Sequence, residues 1–378
     1  MNTQYEEHLH EMFDNKIDEF DDEKKMSMLQ RVLSFLPNDG KLYKYRSIDD
    51  PSFTNTYNSL NDGYIWLSAA SELNDDEDTV LFYDPVSEAE EFARYMYDHP
   101  DVFFKKIYEK RGLDTIFLED KRQAVTFDEI MNCYDSETGE LIESKAVKVL
   151  SKQGISVPDS MTQIKKLKEA MKRCVEQNKD KIYEWSNKYL HFNEENRKKW
   201  HVFSMTEDYD SNAMWAYYAN SNKGFCIEYD YRKALLQSLE SKRKLCSIYR
   251  VVYKEEPEPF SFMRIFDYVA RGAEDQEEYK MIAFDFLTKM LTKKDGWKHE
   301  KEWRILLPDI DNKLYVNLVS GIIIDDRAIN TDNGKKLLDL CEQKGWTVTV
   351  RTKNVIQTKH EYVSYEEYDA KCRKVQEV

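Results

Sequence analysis

His299-Glu300-Lys301-Glu302-Trp303-Arg304-Ile305-Leu306-Leu307 sets two carboxylates two residues apart at the head of an apolar run that reads as a buried strand. Residues i and i+2 of a strand share a face, so Glu300 and Glu302 are expected to project together, with Lys301 pointing away. Like charges at close range raise a carboxyl pKa and burial raises it further, so the pair needs solvent, a cation or a polar ligand to meet it. The plainer alternative is a solvated strand start in which Glu302 pairs with Arg304 on the same face.

Around this stretch the chain alternates. Strands are expected at 201–205, 224–229 and 247–253, with a helix at 212–219, a long helical region at about 260–291, and further strands at 314–318, 322–325 and 347–352. A helix at about 333–344 separates the last two. Upstream, 42–46 and 64–68 read as strands joined by a helix at 52–61 that Asp62-Gly63 closes, and 74–78 reads as an exposed polar loop. Before them, two helical stripes run through Leu9, Met12, Phe13, Ile17 and Phe20 and then Leu29, Val32, Leu33 and Leu36. Charged segments of helical spacing fill 85–199. The expected fold is α+β: a mixed, mainly antiparallel sheet flanked by helices, with a helical insertion between its early and late strands. The expected parts are N-terminal helices at 1–36, a first core part at 37–84, the insertion at 85–199 and a second core part at 200–378.

With 71 acidic against 56 basic residues and a net charge of -15, the chain is a poor candidate for broad, phosphate-driven nucleic-acid binding. Six cysteines stand apart with no CxxC pair, so reduced thiols are expected rather than a disulfide framework or a structural zinc. The first residues lack the basic flank and apolar run of a leader, and no apolar stretch approaches the roughly 20 residues that span a bilayer, so a cytoplasmic protein without a membrane partner is expected. No phosphate loop, GxGxxG or hydrolase triad spacing is present.

Four places can carry chemistry. Tyr43-Lys44-Tyr45-Arg46 ends a strand with a guanidinium suited to phosphate or carboxylate, unless Arg46 merely pairs with Asp49 or Asp50. Ser68 lies where a strand meets an acidic loop; it can orient a sugar hydroxyl or simply cap the next turn. Asn74 and Asp75 fit an Asx turn, though Asp75 with two glutamates also suits a divalent metal. Met214, Trp215 and Tyr218 share helical spacing that fits core packing, and the rings can equally wall a pocket for a flat ring. Gly224 fits a helix-to-strand connection that needs unrestricted φ.

In order, Leu42-Tyr43-Lys44-Tyr45-Arg46, Ile65-Trp66-Leu67-Ser68 with Leu73-Asn74-Asp75, Met214-Trp215-Ala216-Tyr217-Tyr218-Ala219 with Lys223-Gly224-Phe225, and Lys298-His299-Glu300-Lys301-Glu302-Trp303-Arg304 resemble the signature of one bacterial family, the domain of unknown function twenty-nine seventy-one. The likeness runs from about residue 41 to 352 and leaves the N-terminal helices and the insertion uncovered. Asp76 replaces the usual loop proline, and Asp325 a glycine that often follows the Ile322-Ile323-Ile324 run. The resemblance implies a setting near mobile and phage-defence genes, hence a defence, abortive-infection or toxin role, and fixes no activity.

An arginine on an early strand, a serine on the next and a Glu-x-Glu on a late one is also similar to the Arg-Ser-Glu arrangement of ADP-ribosyltransferases, which break the nicotinamide–ribose bond of NAD. That likeness implies NAD as substrate. Glu302 would stabilise the oxocarbenium-like sugar, Glu300 activate or orient the acceptor, Arg46 bind phosphate, Ser68 brace the ribose or Glu302, and Tyr45 or Trp215 cover nicotinamide. The acceptor stays open among protein, nucleic acid and water. Two other readings are a magnesium-dependent nuclease built on Asp75, Glu300 and Glu302 with Lys298 or Lys301 nearby, and a non-catalytic recognition or regulatory module whose inserted helices meet a phage or host protein.

Overall fold

Glu302–Pro308 is a strand whose first six residues are buried, because it lies inside a sheet with a neighbour on each edge. The computed structural model describes residues 22–49, 51–73, 78–84, 87–88, 91–92, 94–95, 129, 132–135, 138, 140–151, 195, 197–270, 275–354 and 359–376. The expected stripe of Leu9 to Phe20, the loop residues 74–77 and most of the expected insertion lie outside them.

In chain order the strands are β1 (Lys41–Arg46), β2 (Tyr64–Trp66), β3 (Ser68–Ala69), β4 (Trp200–Thr206), β5 (Phe225–Asp230), β6 (Ile248–Arg250), β7 (Val252–Lys254), β8 (Thr292–Lys294), β9 (Glu302–Pro308), β10 (Lys313–Tyr315), β11 (Val319–Asp325), β12 (Thr347–Asn354) and β13 (Lys359–Ser364). The α-helices are α1 (Asp22–Phe35), α2 (Ser52–Asp62), α3 (Glu143–Ser151), α4 (Asn212–Tyr218), α5 (Leu239–Cys246), α6 (Phe262–Ala270), α7 (Gln276–Met290), α8 (Asp326–Ile329), α9 (Asp332–Lys344) and α10 (Tyr365–Gln376).

The chain forms two compact units, one of residues 1–81, 194–258 and 276–378, the other of 82–193 and 259–275. In the first, a nine-stranded sheet runs β13-β12-β11-β5-β1-β4-β9-β6 with β3 added on β4. Only β11 and β12 pair in parallel within it, so the fold is α+β with a mixed, mainly antiparallel sheet. Leu42, Phe225, Ile227, Ile248 and Ile305 fill its centre, and α1 packs Leu29 and Val32 against α5, where Leu245 is buried. In the second unit Cys133, Ala146 and Val149 form a small apolar cluster, and the Phe260 N–H donates to Phe82 O at 2.7 Å. Five cysteines are free among the described residues, and none of the described helices is long and apolar enough to cross a membrane.

Four sequence expectations change, each for a local reason. The run 64–68 is two strands in two sheets: Leu67 is fully buried, its N–H donates to Asn312 O and its carbonyl accepts from Asn312 Nδ2, so the chain leaves the β2–β10 ribbon there and delivers Ser68 to the main sheet. The run 247–253 breaks likewise at Val251, whose N–H donates to Glu302 O at 3.0 Å. The region 260–291 is two helices, α6 and α7. Finally, β13 and α10 close the chain unanticipated: β13 is an edge strand with no buried residue, so it carries no apolar alternation to read.

The sheet parts between β1 and β4. These strands share one register pair, Tyr43↔Thr206, and beyond it β3 takes over the same edge of β4 at Ser68↔Val202 and Ala69↔His201. A cleft opens where the backbones separate.

Candidate functional site: a split-sheet cleft

The cleft holds about 650 Å³, within the roughly 300–1,000 Å³ usual for small-molecule sites. Tyr43, Lys44, Tyr45 and Arg46 form one wall, Val202, Ser204, Met205 and Thr206 another, and Ser68, Asp78, Lys293, Glu300 and Glu302 also face it. Arg46, Ser68 and Glu302, far apart in sequence, thus meet at one opening.

Glu300 and Glu302 converge by a different route from the one their spacing suggested. Glu300 ends a tight 3-10 turn, Asp295–Glu300, and Lys301 then adopts a left-handed backbone with φ 45°, so strand pleating does not align the pair. A cation gathers them instead. Lys293 Nζ, from the middle of β8, donates to Glu300 Oε2 at 2.7 Å and to Glu302 Oε2 at 3.3 Å, and lies 3.3 Å from Asp78 Oδ2. Lys301 turns outward, as expected, to Asp208 at 2.9 Å.

Glu302 is nearly saturated. Arg304 Nε donates to its Oε1 at 2.7 Å and Nη2 to its Oε2 at 2.9 Å, while the same Nη2 reaches Asp78 Oδ2 at 2.7 Å. The cross-strand pair Ser204↔Arg304 places the Ser204 hydroxyl to donate to Glu302 as well. Burial alone would raise the Glu302 pKa, but Arg304 and Lys293 with those hydrogen bonds win and hold it near about 2. Burial likewise acts to lower the Lys293 pKa, and Glu302, Asp78 and Glu300 together raise it above its ordinary value. Both groups therefore stay charged. Tyr218, on α4, donates to Glu300 Oε1 at 2.6 Å; burial first, and that bond second, raise the Tyr218 pKa and keep its proton in place. Arg197 pins the Asp78 backbone by donating to Ala70 O and Asp78 O, both at 3.2 Å.

The opposite wall differs in kind. Arg46 makes no ion pair with Asp49, which instead accepts from Asn220, while Asp50 lies outside the described residues; the Arg46 Nε is shielded from solvent without a hydrogen-bond partner. Burial lowers the Arg46 pKa, with the Tyr229 hydroxyl acting the other way. Lys44 Nζ donates to Ser204 O at 2.5 Å and lies over the Phe203 ring at 4.3 Å. Gly224 keeps this wall in place. Its φ is not positive, contrary to expectation; what it supplies is room, since a Cβ there would lie 2.2 Å from Arg46 O and 2.9 Å from the Ala219 backbone.

The aromatic assignments divide. Tyr45 lines the cleft, with its hydroxyl turned away to donate to Asp208 O at 2.7 Å. Trp215 does not reach the cleft: it is fully buried in the core, edge-on to Tyr45 at 5.2 Å, donating to Tyr209 O and stacked under Arg351 at 4.4 Å. Its helical spacing was a core signal. The indoles at the cleft are Trp66, 46 % exposed, and Trp297, whose ring lies 5.0 Å from Lys293 Nζ.

Asp75 lies outside the described residues, and Asp78, Glu300 and Glu302 already face Lys293 and Arg304. No group of three or more acidic, histidine or cysteine side chains is arranged to hold a metal ion among the described residues. The sequence reading missed Lys293, Asp78 and the bracing role of Ser204. Asp78, read as the end of an exposed polar loop, is instead buried, because Arg304 and Lys293 hold its carboxylate. Asp325, the departure noted above, ends β11 and binds Arg351 Nη1 at 3.0 Å and Arg327 Nε at 2.8 Å while capping α8.

No curated protein and no solved structure matches this chain. Residues 214–305 contain most of α4, Gly224, Lys293 and the Glu300–Arg304 run, whereas the segments carrying Arg46 and Ser68 lie outside that span. Residues 214–305 match the family described as protein of unknown function (DUF2971).

Proposed function

We propose that the cleft binds NAD and that the protein breaks its nicotinamide–ribose bond, as an ADP-ribosyltransferase-like or NAD-hydrolysing effector. One observation carries this reading: Arg46, whose buried Nε has no hydrogen-bond partner and which pairs with no carboxylate among the described residues, shares a cleft with the ionised Glu302. A ligand suited to both walls carries an anion at one end and develops positive charge at the other, and NAD does both. Arg46 would take a pyrophosphate oxygen and Ser68 a ribose hydroxyl. As the glycosidic C–N bond breaks, its electron pair leaves with nicotinamide, and Glu302 stabilises the cationic sugar. Glu300 already accepts from Tyr218 and Lys293, which suits it to orient an acceptor whose oxygen or nitrogen then bonds to the anomeric carbon and releases its proton to solvent. The family resemblance supports a defence or toxin setting.

The test is nicotinamide release from NAD by the full chain, with and without a chelator. Chelator-insensitive release that Glu302→Gln reduces by about 10²–10³, the usual scale for losing one stabilising group, supports the proposal. Because Glu302 also holds Arg304 and Lys293, the variant's thermal stability is measured alongside. Absence of release from wild type over all acceptors tried, or full release by a folded Glu302→Gln variant, overturns it.

A further inference from the structure

Lys44 is used by none of the roles above, yet its surroundings are unusual for a lysine. It lines the cleft from the strand that carries Arg46, and among the described residues its Nζ donates to one backbone carbonyl, Ser204 O. No carboxylate lies within ion-pair distance of its Nζ among the described residues. The charged groups that act on it are Arg46 on its own strand and Glu302 and Arg304 on β9; β4 offers the Phe203 ring and the Ser204 carbonyl. Two of those three charges are positive, and the negative one is committed to Arg304 and Lys293. A second cation beside Arg46, which pairs with no carboxylate among the described residues, is costly in an empty cleft and favourable once a multiply charged anion sits between them.

We infer that Lys44 and Arg46 together form a subsite for a phosphate-bearing ligand, and that Lys44 takes up a proton as that ligand binds. Arg46 supplies a planar pair of donors and a permanent charge, while Lys44 supplies a compact charge that depends on its surroundings. Burial, then Arg46, lowers the Lys44 pKa well below its ordinary 10.5, with Glu302 opposing and Arg304 adding to the effect. A phosphate within reach reverses that balance. The proton comes from solvent and bonds to the Nζ lone pair; nothing else is made or broken. The inference rests on the cleft being a nucleotide site, but it does not require NAD to be cleaved.

ADP is the probe, since it carries the diphosphate and lacks the nicotinamide–ribose bond. Calorimetric titration of the full chain with ADP, in two phosphate-free buffers of different ionisation enthalpy, reads binding and proton uptake together. Wild type is expected to bind ADP with net proton uptake, and more tightly as pH falls. Lys44→Met is expected to abolish the uptake and weaken binding about tenfold at neutral pH, the scale of one charged contact, while Arg46→Met weakens binding and retains uptake. ADP that fails to bind wild type, binds it without proton exchange, or is bound with unchanged uptake by Lys44→Met overturns the inference. ADP bound with uptake by a protein that never releases nicotinamide leaves this inference standing and removes the NAD-cleaving one.

Discussion

The two walls of the cleft are opposites. On the β9 side three carboxylates, Asp78, Glu300 and Glu302, meet two cations, Lys293 and Arg304, in a network whose members are all nearly inaccessible. On the β1 side Arg46 brings a permanent charge and Lys44 a basic group that burial and Arg46 disfavour as a cation, with no carboxylate paired to either among the described residues. Buried charges that satisfy one another fix a geometry, whereas buried charges left unsatisfied reduce stability until a ligand arrives. Glu302 and Arg46 thus differ in what the fold requires of them, and changing them should have different consequences.

The sharpest way to break the contrast is Arg304→Met. Arg304 is fully buried and holds both Glu302 and Asp78, so its loss should cost about 3–5 kcal/mol, read by denaturant unfolding. A loss under about 1 kcal/mol would mean that the network does not hold the fold. Acid should act next. The Glu302 pKa is depressed from its ordinary 4.5 to about 2 in the folded state, so its stabilisation is fully present above 4.5 and lost as pH falls through that window. A shift of this size corresponds to a loss on the order of 3 kcal/mol. Glu302→Gln should remove that part of the acid dependence, and an unaltered acid profile would contradict the pairing described here.

Smaller effects probe the other wall. Gly224→Ala forces a methyl against the Arg46 carbonyl and should cost about 1–3 kcal/mol, with weaker ADP binding because Arg46 must shift. Smallest is Arg46→Met, expected to leave unfolding stability unchanged or raise it by up to about 1 kcal/mol, since no carboxylate among the described residues loses its partner. A marked destabilisation by Arg46→Met would show that the two walls are alike after all.

Much of the sheet was legible because β9, β11 and β5 are apolar enough to read without neighbours. The carboxylate pair was legible as a costly feature; of the competing reading the pairing of Glu302 with Arg304 holds and the solvated strand start does not, since both glutamates are buried. What failed had local causes. Leu67 and Val251 break strands because their backbone groups bond outside the ladder expected of them, and Trp215 looked the same on paper whether it faced a pocket or the core.

The sequence by itself determined many of the strands and helices, and that an arginine, a serine and Glu302 stand at strand ends with Glu300 close by, since periodicity, turn residues and charge spacing are properties of neighbouring residues. Tertiary structure decided that β1 and β4 part after a single pair, that Lys293 and Asp78 join the glutamates, and that Arg46 pairs with no carboxylate among the described residues. Those outcomes depend on register and burial across long separations, and a charge's partner is set by where folding brings it rather than by what lies beside it in the chain.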